Sequence, residues 1–168
     1  STNGSNWTNN TGWKDGAAGT NCDPCGWYGI SCDPLNKRVT QIQLPSNNLR
    51  GPIVIFSGLD SLNFIDLSTN FLTNGNWNFT NNKLKGINLL WNKSLKGSIP
   101  NLNLPNLEEL LCQGDSLSGP LPPFDKLPKL RSFFAGENQI SGNIPSYITL
   151  DSLRYLSLEN NKLTGAIP

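Results

Sequence analysis

The chain has no histidine and no methionine among its 168 residues. Without histidine, every Ser-His or Cys-His nucleophile and every histidine-bearing metal site is excluded at once. Charge is scarce and balanced, with 13 basic against 12 acidic residues. A nucleic-acid or anionic-membrane surface needs a concentrated basic patch, so this balance argues against both. No apolar run approaches ~18 residues, and no membrane-spanning helix is expected. Cysteine is confined to Cys22, Cys25, Cys32 and Cys112. The abrupt opening STNGS reads as a mature or excised segment whose signal peptide and first residues have been removed.

Asparagine, by contrast, is abundant. Asn-X-Ser/Thr sequons stand at Asn3, Asn6, Asn9, Asn78 and Asn92. An asparagine-rich chain makes sequons by chance, but sequons and cysteines together favour a secreted or cell-surface protein.

From Val39 onward the sequence repeats. The clearest unit has apolar residues at places one, four and six (Leu130, Phe133, Ala135). Asn138 follows at place nine, Ile140 at eleven, Gly142 at thirteen, then Ile144-Pro145. The pattern returns 23 residues later as Leu153, Leu156, Leu158, Asn161, Leu163, Gly165 and Ile167-Pro168. Six such units start near residues 39, 62, 84, 107, 130 and 153. A fixed period of this length signifies a solenoid. Places four and six share one face of a short strand, because side chains alternate with period two. Stacked strands then pair in parallel at ~4.8 Å, with the apolar face in a common core. The place-nine residues (Asn47, Asn70, Asn92, Asp115, Asn138, Asn161) turn the chain inward. A buried amide there can donate to and accept from backbone groups left unpaired, giving a structural ladder.

The departures are few. Repeat two has Asn74, Gly75, Asn76 and Trp77 where Gly-x-Ile-Pro is expected, and repeat three carries one extra residue before Leu95. Residues 1–36 hold no repeat. They are dense in Gly, Asn and Asp, and carry Trp7, Trp13, Trp27 and three cysteines. Such a segment is placed to cover the apolar end of the first repeat, with Trp27 packed against it. At the other end the sequence stops at Pro168 inside repeat six, without a closing cap, so continuation or another cover is expected there.

The six registers resemble plant-type leucine-rich repeats of the form LxxLxLxxNxLxGxIP. The head NWTNNTGW, followed by CDPCGWYGISC and KRVTQI, resembles the N-terminal cap that precedes them. Such modules occur in receptor-like kinases and in polygalacturonase-inhibitor-like proteins. The resemblance implies an α/β repeat protein: a right-handed, curved solenoid of six repeats in 37–168 with a parallel sheet inside. It also implies recognition as the usual role, and a Cys25–Cys32 disulfide within the cap. The residue at the position of Cys22 would pair upstream, whereas Cys112, at place six of repeat four, is expected as a buried free thiol.

Three candidate chemistries follow. Cys22-Asp-Pro-Cys25 has metal-site spacing, but no second pair or histidine completes four ligands, so neither metal nor cofactor is expected. Places three, five, seven and eight form the inner face, which gathers Phe64, Asp66, Leu90, Trp91, Leu111, Phe134, Glu137, Tyr155 and Glu159. Clustered exposed aromatics mark a contact surface; the competing reading is that they pack on one another across strands. Glu137 and Glu159 form a carboxylate pair of the kind glycosidases use, but a flat face offers no pocket to raise one pKa. The expectation is a non-enzymatic extracellular module that binds a protein or peptide on its concave face. The alternative is a structural cell-surface or matrix glycoprotein that self-associates through its exposed repeat end. Glycans are expected on Asn78 and on one or more of Asn3, Asn6 and Asn9, but not on Asn92, whose amide belongs to the ladder.

Overall fold

The computed structural model describes residues 6–13, 23–54, 56, 58–74, 77–146 and 150–168. Each repeat supplies one short inner strand and, past the asparagine turn, one short outer strand. The cap segment contributes a 3-10 turn at Pro24–Gly26 and strand β1 (Ile30–Cys32). The inner strands are β2 (Val39–Gln43), β4 (Phe64–Asp66), β6 (Gly86–Asn88), β8 (Glu109–Leu111), β10 (Ser132–Phe134) and β12 (Tyr155–Ser157). The outer strands are β3 (Arg50–Pro52), β5 (Phe71–Thr73), β7 (Lys96–Gly97), β9 (Ser116–Gly119), β11 (Gln139–Asn143) and β13 (Lys162–Thr164).

The inner strands form one seven-stranded sheet in the order β1-β2-β4-β6-β8-β10-β12. Only β1 runs antiparallel, with Ile30 opposite Ile42. The rest are parallel and strictly in register: Ile42, Ile65, Ile87, Leu110, Phe133 and Leu156 lie side by side. The place-four residue points into the core while its neighbours at three and five point out, the pleat alternation expected of a half-buried strand. Places one, four, six and eleven supply most of the buried apolar core.

The 22-residue step from repeat two to repeat three leaves this register intact, since Phe64 still pairs Gly86. The extra residue in repeat three is taken up by a turn closed by Leu95 N–H donating to the Asn92 carbonyl at 2.7 Å. Leu95 and Asn92 both remain fully buried. The outer strands are less tolerant. They split into a pair, β3-β5, and a separate sheet, β13-β11-β9-β7. The break falls where repeat two loses Gly-x-Ile-Pro, and there Trp77 and Phe79 fill the core instead.

The helical part implied by an α/β class is not formed: among the described residues there is no α-helix. The outer segments carry Pro100, Pro105, Pro120, Pro122, Pro123, Pro128 and Pro145. Proline removes a donor and clashes within a helix, so these stretches run as short strands and turns.

Trp27 does not pack against the first repeat as expected. Trp7 and Trp13 lie against the core. Trp27 lies tilted against Trp13 with ring centroids 4.9 Å apart, and Trp13 meets Trp7 edge-on at 5.0 Å. The indole N–H of Trp13 donates to the Tyr28 carbonyl at 2.9 Å. Cys25 and Cys32 are disulfide-bonded, joining the 3-10 turn to β1. Cys22, like the sequon at Asn3, lies outside the described residues.

Candidate recognition face

The inner face owes its shape to place eight. Ser46, Thr69, Trp91, Glu137 and Asn160 all have φ between 51° and 60°, and Gly114 has φ 74°. Left-handed backbone at this place reverses the chain toward the core within one residue. The inter-repeat hydrogen bonds nonetheless continue through it. Thr69 N–H donates to the Leu90 carbonyl (2.7 Å), Trp91 to Gln113 (2.9 Å) and Glu137 to Glu159 (2.8 Å). Place-eight side chains are thereby aimed outward from a backbone that is fixed on both sides.

The expected face residues are displayed unequally. Trp91 is 40% and Tyr155 64% exposed. Glu137 and Glu159 are exposed, whereas Phe64, Asp66, Leu90, Leu111 and Phe134 are half-buried. Among the described residues the ring pairs involve none of Phe64, Trp91, Phe134 or Tyr155. Phe64 instead lies over Gly86 and Trp91 over Gly114, so closely that a Cβ on either glycine would strike the ring. Trp91 therefore rests flat on the next repeat's backbone and leaves its other face to solvent, whereas Phe64 meets Gly86 with its ring edge.

The polar residues are also held. Asp66 Oδ1 accepts from Ser68 N–H at 2.9 Å, and Asn88 Oδ1 accepts from Leu90 N–H at 3.1 Å. Gln113 Nε2 donates to Glu137 Oε1 at 3.2 Å. Ser157 Oγ donates to Glu159 Oε2 at 2.5 Å, and the Glu159 carboxylate folds back over Gly136. The Ser157 bond, assisted by backbone, holds the Glu159 carboxyl below its usual pKa. A glycosidase acid needs the opposite shift.

Behind the face runs the ladder. Asn70 Oδ1 accepts from the N–H groups of Asn47 (3.0 Å) and Leu49 (2.9 Å), and its Nδ2 donates to the Leu44 and Leu67 carbonyls (both 2.9 Å). Asn92 Nδ2 donates to Leu67 and Leu89, Asn138 to Cys112 and Ala135, and Asn161 to Ala135 and Leu158. Asn47 joins the cap, accepting from Asn9 N–H at 2.7 Å and donating to its carbonyl at 2.9 Å. Asp115 breaks the pattern. Its Oδ1 accepts from Asn92 N–H at 2.6 Å, but the buried Oδ2 has no partner. That oxygen stands where the other rungs place an NH₂ among carbonyls. Burial raises the Asp115 pKa to about 8, the Asn92 bond opposing it. Cys112 is buried and free. Burial pushes its thiol well up, with Asp115 adding to the effect.

The sequence pattern missed a charged row beside the face, at place two. Lys85, Glu108, Arg131 and Arg154 stand on successive repeats. Glu108 lies 3.4 Å from Arg131 and 4.0 Å from Lys85. A period-23 reading of charge, rather than of apolar residues alone, would have found it. Of the expected glycan sites, Asn6 and Asn78 are exposed and Asn9 is half-buried. No helix of the described residues is long and apolar enough to cross a membrane.

No family model matches the chain. Its likeness to individual proteins is nonetheless extensive. It is 47% identical over 55 residues, 32% of its length, to the leucine-rich repeat receptor-like protein kinase PXC1 of Arabidopsis thaliana. It spans only 8% of that relative, and between 8% and 12% of the curated relatives it matches. Among solved structures, a chain in the crystal structure of the Arabidopsis receptor kinase HAESA with the peptide hormone IDA and the co-receptor SERK1 is 32% identical. That likeness has a TM-score of 0.80 and covers 92% of this chain and 26% of the other. A chain of the BIR3–SERK2 complex from Arabidopsis thaliana is 30% identical, with TM-score 0.60, over 100% of this chain and 77% of that one. The protein belongs to the plant-type leucine-rich-repeat family, in the form found in receptor-kinase ectodomains.

Proposed function

We propose that the chain is a non-enzymatic recognition module, acting outside the cell, that binds a protein or peptide on its concave face. One observation carries the reading: Trp91 and Tyr155 stand exposed on the inner sheet and have no ring partner among the described residues. Preorganised aromatic anchors of this kind dominate binding energy at protein interfaces. The HAESA structure, which holds a peptide hormone and a co-receptor, supports the same role for a similar scaffold. The disulfide and the exposed sequon at Asn78 support an oxidising, glycan-bearing location. Phe64, Asp66, Leu90, Leu111, Phe134, Glu137 and Glu159 complete the proposed contact surface.

The test is alanine at Trp91, Phe134 and Tyr155, each measured for partner binding and for thermal unfolding. Each truncation should weaken binding by more than ~2 kcal/mol, the usual figure for a central aromatic. The melting curve should be little changed, since two of the three rings are largely outside the core. Normal binding by all three variants would place the contact elsewhere.

A further inference from the structure

The charges of this molecule are segregated. The inner face carries Asp66, Glu109, Glu137 and Glu159 and, at places three, five, seven and eight of six repeats, no lysine or arginine. The chain as a whole carries a net charge of +1, so the asymmetry is local rather than compositional. Of the cations beside the face, Arg154 donates to the Asp151 and Leu153 carbonyls and meets no carboxylate among the described residues. Lys85 and Arg131 serve Glu108 at place two, and Arg50 lies over the outer-face Phe71 at 4.4 Å from the ring centroid.

The acidic groups are also fixed in place, as the aromatic groups are. Glu137 and Glu159 each receive one hydrogen bond from a neutral donor, Gln113 and Ser157. Neither carboxylate meets a cation among the described residues. Phe134 pairs with Ser157 across β10 and β12, so its half-buried ring is set on the strand next to the one that leads to Glu159. Two repeats earlier, Trp91 rests on Gly114 with one face open. Carboxylates beside open ring faces recognise a cationic side chain twice over, by charge-assisted hydrogen bonding and by cation–π attraction. An acidic or neutral ligand would leave the carboxylates unpaired and, on burial, would incur their desolvation.

We infer that the occupant of the concave face is an extended basic peptide, whose arginine or lysine side chains lie on the open rings and meet the carboxylates of repeats five and six. This rests on the concave-face reading above and narrows it to one ligand charge.

Three octapeptides separate the two: (Gly-Arg)₄, (Gly-Gln)₄ and (Gly-Glu)₄, titrated calorimetrically into the folded chain. The arginine peptide should bind at least tenfold more tightly than the glutamine peptide, and the glutamate peptide should bind most weakly. The arginine advantage should shrink severalfold when salt rises from 0.05 to 0.5 M, as expected for exposed charges. It should also largely vanish in the Glu137→Gln/Glu159→Gln variant, while the glutamine peptide is unaffected. Equal affinity for arginine and glutamine peptides, or an arginine peptide indifferent to the double substitution, would overturn the inference. Failure of the concave-face reading looks different. In that case Trp91→Ala and Phe134→Ala would weaken none of the three peptides, and the arginine peptide would bind at some other surface.

Discussion

The inner and outer sheets meet the same two irregularities and respond differently. The inner sheet crosses both the short step into repeat three and the added residue within it without losing a register pair. The outer strands break at the first and shorten at the second, where β7 has two residues against four in β9. The difference lies in what specifies each sheet. Inner pairing is over-determined: an apolar residue at place four, hydrogen bonds through places six and eight, and an amide rung at place nine all demand one register. Outer pairing rests on a single left-handed glycine at place thirteen, with φ 96° at Gly51, 99° at Gly97 and 82° at Gly119. Repeat two has Asn74 there, and the ladder lapses. A recognition face benefits from the robust side, because binding groups held within a fraction of an ångström lose little freedom on binding.

The largest expected effect tests whether Trp77 substitutes for the missing outer motif. It is 2% exposed and fills the core at the break. Trp77→Ala should cost about 3–5 kcal/mol, the range for large buried aromatics. Denaturant unfolding measures it. A cost below ~1 kcal/mol would mean that the outer break carries no core of its own.

A smaller effect is expected at the capped end. Replacing Cys25 and Cys32 by serine opens a loop of sequence separation 7, and should cost roughly 2–3 kcal/mol by loop entropy. The loss should register first in tryptophan fluorescence, because Trp27 lies within that loop and meets Trp13.

Asp115 is the one weak rung in the robust sheet. Its folded pKa, about 8, exceeds the ordinary value of 3.8. The native state therefore binds the proton more tightly than the unfolded chain. Its contribution is fully present below pH ~4 and declines as pH rises toward ~8. Asp115→Asn places a donor there without the proton uptake that Asp115 needs near pH 7, and should stabilise there by about 1–3 kcal/mol. The gap in melting temperature between variant and parent should widen from pH 4 to pH 8. A gap independent of pH would show that Asp115 is ionised in the native state.

Much of the inner sheet was legible because its signals recur at fixed places: Ile42, Ile65, Ile87, Leu110 and Phe133 announce themselves. Other recurring elements were hidden. Leu59, Leu104, Leu127 and Leu150 stand three residues before place one, and each accepts the place-one N–H at 2.9–3.1 Å. In repeat three that place is Asn81, which masks the series when apolar residues alone are counted. The left-handed place eight was equally invisible, since Ser46, Thr69, Trp91, Glu137 and Asn160 share no chemistry. Trp27 was misplaced for a related reason. The short cysteine loop reads as setting Trp27 against the first repeat, but only the ring contacts reveal that Trp13 intervenes. Contacts among side chains from a non-repeating cap leave no period to read.

The smallest effect on stability is expected where the two sheets differ most in exposure, at two sequons of identical type. Asn78-Phe79-Thr80 lies in the irregular outer stretch of repeat two, and Asn78 is exposed. Asn92-Lys93-Ser94 begins on the ladder, and Asn92 is fully buried, its Nδ2 donating to the Leu67 and Leu89 carbonyls at 3.1 and 2.8 Å. A glycan is attached through that same nitrogen. At Asn92 it would replace one of the two N–H donors that serve the buried Leu67 and Leu89 carbonyls and would have no route to solvent, at ~1–3 kcal/mol for each group left unpaired. At Asn78 it extends into water from a surface loop, where a bulky substituent is tolerated. Glycopeptide mapping of the chain expressed through a eukaryotic secretory pathway should therefore find sugar on Asn78 and none on Asn92. Asn78→Gln should remove that glycan and change stability by less than ~0.5 kcal/mol, as for surface substitutions generally. Sugar on Asn92 in folded protein would require its side chain to swing out of the ladder. Leu67 and Leu89 would then lose their amide donor, and the inner sheet would be no more robust than the outer one.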